Sequence, residues 1–129
     1  MGFSTSRTLN HRDSEGNPTP TLTAEEDELV GIAMGLKAAN AGALQFVSDF
    51  TDAEAEFALM RQMVRKSGRP LSFSLLQGHI APDKWRLLLE RTAEANAEGL
   101  TIPAQVARGP GGALLDLERA MYPFPRNPL

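Results

Sequence analysis

The side chains able to do chemistry gather just after the chain's runs of strand-forming residues. Ser6, Arg7, Thr8, His11 and Arg12 follow the first run, Ser48 and Asp49 end the second, Gln77 and His79 follow the third, and Gln105 and Arg108 close the fourth. In parallel α/β folds ligands meet the carboxyl ends of the strands, so these residues are the first candidates for a site. The guanidinium groups of Arg7, Arg12 and Arg108 suit two-pronged binding of a carboxylate. Thr8, His11, Gln77 and Gln105 add hydrogen-bonding groups to that candidate substrate-binding set. Asp49 is the candidate base or metal ligand. Loop ends are polar in any fold, so residue types alone do not separate this set from a solvated surface.

Other chemical signatures are missing. His11 and His79 are the two histidines, and no HxH, HExxH or histidine–carboxylate helix pair is formed. No serine lies in a GxSxG elbow, and no residue is assigned as a catalytic nucleophile. The GPGG run at Gly109 to Gly112 lacks the lysine and spacing of a phosphate loop.

The elements that must position these residues alternate. Strand-type runs at Met1 to Arg7, Ala43 to Phe50, Leu71 to Leu76 and Thr101 to Ala107 are each followed by helical periodicity. The near-continuous Leu71, Phe73, Leu75 and Leu76 suit a strand covered on both faces, and Pro103 is out of place in a central strand. Thr23 with Glu26 and Thr51 with Glu54 match capping boxes that open the first two helices. The first helix presents Leu29, Ile32, Ala33 and Leu36, and the second Ala53, Phe57, Met60 and Val64 before Gly68. A third starts at Pro82 and Asp83 and presents Trp85, Leu88, Leu89, Thr92 and Ala93; a fourth spans Gly112 to about Ala120. The last three strand starts, at 43, 71 and about 100, recur every 28 to 29 residues, the size of a βα unit with a right-handed crossover, while the first unit is longer. The segment from Thr8 to Leu22 has no apolar periodicity and reads as a long functional loop. Residues 1–122 are thus expected to form an α/β array of four βα units with parallel strands, and residues 123–129 an extended proline-rich tail.

Composition narrows the classes. The 129 residues suit one domain, and the absence of cysteine excludes a disulfide framework, a thiolate zinc site and a cysteine nucleophile. Sixteen acids against 13 bases give a net charge of -3 with both signs dispersed, which argues against nucleic acid or a membrane as partner. No apolar run approaches a membrane span, and Met1 to Arg12 lacks a signal layout, so the expected location is cytoplasmic.

Several stretches taken in order carry a family resemblance. GFSTSRT from Gly2 with His11-Arg12, then ELVGIAMGL, LQFVSDF, GRPLSFSLLQ, PDKWRLLLERTAEANAEGLTIPAQVA and GGALLDLERAMYPF together resemble the N-acyl-D-amino-acid deacylase group of the amidohydrolase superfamily. The resemblance implies half of a (β/α)8 barrel whose complete form hydrolyses an amide or related C–N bond with metal-activated water, zinc being the divalent metal of the family. It also exposes departures. The family's His-x-His pair is absent, Asp49 stands where the family places a metal histidine, and Leu75 stands at the second histidine.

Two readings follow. In the first, the chain is the middle of an amidohydrolase-like barrel, inactive in isolation, whose complete protein takes a small N-acyl amino acid type amide. In the second, it is a non-catalytic βα module that completes its sheet with another copy or a missing barrel half. A doubly wound domain gripping an acidic ligand through Arg7, Arg12 and Arg108 is a third possibility with no motif behind it.

Overall fold

A computed structural model describes residues 2–77 and 81–106. Within them β1 (Gly2–Arg7), α1 (Glu26–Ala38), β2 (Ala43–Ser48), α2 (Ala53–Ser67), β3 (Leu71–Ser74), α3 (Lys84–Ala97) and β4 (Ala104–Gln105) follow one another, with a 3-10 turn at Pro20–Leu22. The strands form one sheet in the order β1-β2-β3-β4, and every neighbouring pair is parallel. The expected α/β array with parallel strands is therefore present. The fourth helix and the tail lie outside the described residues.

A sequential strand order has a consequence for the layers. Each crossover steps in the same direction, so right-handed connections put α1, α2 and α3 on one face. Burial agrees: Thr5, Leu44, Phe46, Leu71 and Phe73 point into the core formed with the helices. Ser4, Ser6, Gln45, Val47, Ser72 and Ser74 alternate with them on the opposite face, which no described element covers. β3 is therefore apolar on one face only, and the expectation of cover on both is corrected. Its leucines and Phe73 alternate with Ser72 and Ser74, and that alternation is what a one-sided strand requires.

Three phenylalanines anchor the core. Phe73 meets Phe57 edge-on at 6.0 Å and Phe50 at 5.6 Å between ring centroids, and each large ring removed from water contributes about 2–3 kcal/mol. Leu29, Ala33 and Leu36 of α1 and Phe57, Met60 and Val64 of α2 are buried as their spacing predicts. On α3, Leu88 is buried, while Leu89 and Ala93 are exposed and Ala95 takes the inward place.

The helix starts differ from the capping boxes. α1 begins after Glu25 with no side-chain cap, and Glu26, Asp27 and Glu28 complement its dipole instead. In α2 the cap is Asp52, whose carboxylate accepts from the Ala55 amide at 3.0 Å, so the ionised neighbour displaces Thr51. α3 opens after Asp83, with Pro82 just outside it. Gly68 and Gly99 leave their helices at φ 66° and 86°, a conformation that favours glycine. β4 is cut to two residues, since Pro103 has no amide to give and offers only its carbonyl to Phe73.

Candidate functional site

The carboxyl ends of the strands form a mouth framed by the loop from Thr8 to Leu22. That loop is built, not slack. Asp13 accepts the amides of Glu15 (2.9 Å) and Asn17 (2.8 Å) and the Asn17 side-chain amide (3.1 Å). These donors, the Asn17 side chain above all, hold the Asp13 carboxyl below its usual range. Arg12 pairs across to Pro18 and closes its guanidinium on the Gly16 carbonyl at 2.7 Å.

Asp49 ties that loop to β2. Its Oδ1 accepts from the Thr8 hydroxyl at 2.5 Å and its Oδ2 from the Leu9 amide at 2.9 Å. Thr8 is buried, and its hydroxyl also accepts from the Asn10 amide. Beside Asp49, Phe50 is held at φ 48°, a strained conformation for a bulky residue. Lys84, at the start of α3, donates to the carbonyls of Asp49 (3.1 Å) and Phe50 (2.7 Å) and so fixes that turn.

Arg7 faces the helix layer. Its Nε donates to both Glu56 oxygens (3.0 and 2.9 Å), and its Nη1 to the carbonyls of Thr21 (3.3 Å) and Ala24 (2.7 Å). His11 is exposed, with Nδ1 2.6 Å from the Ser6 hydroxyl. Gln77 is exposed and donates to the Pro82 carbonyl at 3.4 Å. Gln105 is exposed on the open face at the level of Ser74. Arg108 and His79 lie outside the described residues.

The structure therefore pairs Ser6 with His11 and Thr8 with Asp49, and it sends Arg7 and Arg12 to internal bonds. Gln105 stands three strand spacings from Ser6, about 14 Å. What the mouth offers is a hydroxyl–imidazole pair and, at the end of β2, a carboxylate that braces the loop. Glu56, Thr21 and Lys84, which hold these residues, had no signal in the sequence, because each acts on a partner remote in the chain. Below the mouth, the open face forms a shallow hollow of about 480 Å³ lined by Ser4, Gln45, Ser72 and Gln105 among others.

Zinc does not fit the described residues. Among them no group of three or more His, Cys, Asp or Glu side chains could hold a metal ion. Both Asp49 oxygens are engaged, and Leu75 is buried in the core, away from the mouth. No helix among the described residues is long and apolar enough to cross a membrane. Comparison with family models, with curated proteins and with solved structures gave no match to this chain.

Proposed function

We propose that the chain supplies four consecutive βα units of a (β/α)8-type barrel belonging to an amidohydrolase-like hydrolase of N-acyl amino acid type amides. The observation that carries the reading is the sheet: sequential, all-parallel strands with helices on one face and, on the other, Ser4, Ser6, Gln45, Ser72 and Ser74 with Val47 as the one apolar member. A doubly wound sheet would reverse its strand order and cover both faces, so the acidic-ligand domain is disfavoured. No group among the described residues assembles a zinc site, so in this reading metal ligands come from residues outside them. This chain's part is to shape the mouth, with Ser6, His11 and Gln105 as the groups turned toward substrate and Thr8 as a buried brace for Asp49.

The test is release of free amino acid from N-acetyl-D-amino acids with zinc supplied, by the 129-residue chain and by that chain joined to its flanking coding sequence. The expected result is hydrolysis by the extended protein only. No release by either overturns the hydrolase reading, and release by the short chain overturns its dependence on the rest of the barrel.

A further inference from the structure

The two edges of the sheet are guarded at opposite ends. On β1 the Asp49 amide donates to the Arg7 carbonyl, so odd-numbered residues bond to β2 and Gly2, Ser4 and Ser6 direct their backbone groups outward. Thr21 occupies Ser6 completely: its hydroxyl accepts from the Ser6 amide at 3.1 Å and donates to the Ser6 carbonyl at 2.7 Å, where Thr19 also donates. On the far edge Thr101, Pro103 and Gln105 give their carbonyls to β3, leaving Ile102, Ala104 and Val106 outward. Asn96 occupies Ile102 in the same manner, accepting from its amide at 3.2 Å and donating to its carbonyl at 3.5 Å. Among the described residues, nothing takes the outward groups of Gly2, Ser4, Ala104 and Val106.

These guards select a register. Ser6 is level with Val47, and Ser74 with Gln105, so an unstaggered copy would set Ser6 beside Gln105. That register needs the Ser6 amide and both backbone groups of Ile102, all of which are taken. A slip of two residues still calls on the Ser6 amide and the Ile102 carbonyl. A slip of four sets Val106 opposite Phe3 and needs neither guard: the Gly2 amide meets the Ala104 carbonyl, the Val106 amide the Gly2 carbonyl, and the Ser4 amide the Val106 carbonyl. An eight-stranded barrel has a shear of about eight residues, so each set of four strands must supply about four. The direction agrees as well, because right-tilted strands lose height along a path from β1 toward β4. Val106, 71% exposed, lies on this edge.

We infer that the 129-residue chain pairs with a second copy, β4 of each against β1 of the other with a four-residue stagger, closing an eight-stranded barrel. The inference concerns the 129-residue chain by itself, whose outer edges the flanking units of the extended protein would otherwise fill; it rests on the barrel geometry of the proposed function and not on its chemistry, so a failed hydrolysis assay leaves it standing. Both mouths' Ser6, His11 and Gln105 would then face one shared interior.

Sedimentation equilibrium of the chain should give twice 14.0 kDa. The chain has no cysteine, so a Ser4→Cys, Gln105→Cys variant can be joined by a bis-maleimide too short for the about 16 Å between these positions across one sheet. A closed dimer with two cross-links is expected. A monomer at high concentration, a ladder of larger species, or a dimer that does not cross-link overturns the inference. Ser4→Pro removes an outward donor without touching the β1–β2 ladder, and should give monomer with unchanged far-ultraviolet circular dichroism; should it unfold, the cross-link decides.

Discussion

Arg7 and Glu56, 49 residues apart in the chain, meet in a two-pronged ion pair with both side chains only 16% exposed. The pair joins the end of β1 to the first turn of α2, and the same guanidinium holds the carbonyls of Thr21 and Ala24. Arg7→Ala strands Glu56 and two carbonyls, and should lower unfolding free energy by about 2–4 kcal/mol in urea titration. Arg7→Lys keeps the charge but not the fork, and should recover only part of that loss. An unchanged midpoint for Arg7→Ala would return Arg7 to the substrate.

Asp49→Ala releases the Thr8 hydroxyl and the Leu9 amide together. We expect a loss of about 1–3 kcal/mol and faster proteolytic cleavage between Thr8 and Leu22. Asp49→Asn, which keeps one acceptor, should fall between. Cleavage rates equal to the parent's would show that the loop does not depend on Asp49.

Thr5 is 1% exposed and its hydroxyl has no hydrogen-bond partner among the described residues. Valine matches its shape without the unpaired group, so Thr5→Val should stabilise the chain by about 1 kcal/mol. A drop in melting temperature would reveal a partner for that hydroxyl.

Leu75 is 6% exposed and belongs to the core. Leu75→His should destabilise by about 2–3 kcal/mol and gain no zinc affinity, read by calorimetric titration with zinc chloride. Tight zinc uptake would turn this position back toward the mouth and support the metal histidine of the deacylase group.

The Arg61 guanidinium, by hydrogen bond and charge, with Arg65 beside it, holds the exposed Glu98 carboxyl below its ordinary 4.5. A carboxyl lowered in the folded state stabilises above its unfolded pKa and loses that contribution as pH falls through the folded one. Glu98→Gln should therefore flatten the acid limb of the stability curve below pH 4.5, and adding salt should shrink the difference.

The fold was legible where periodicity had a single interpretation. Phe57, Met60 and Val64 recur on one helical face and all are buried. Gly68 ends α2 as its conformational freedom predicts. The Thr51 box failed because Asp52, one residue on, is the stronger acceptor, and the Thr23 box because α1 starts two residues later, after Glu25. The site was less legible. Arg7 reads as a ligand-binding cation until Glu56 is placed beside it, and nothing in local spacing announces a contact 49 residues long. Leu89 reads as core because it continues a helical stripe, yet it is 41% exposed.

The bracing of each loop by a later part of the chain sets an order of events during synthesis. The loop after β1 is not tied to β2 until Asp49 has left the ribosome, and the turn after β2 waits for Lys84. Nascent chains released before Lys84 would carry the Phe50 turn unsecured. The mouth is therefore finished from behind, the first two units each made competent by the next.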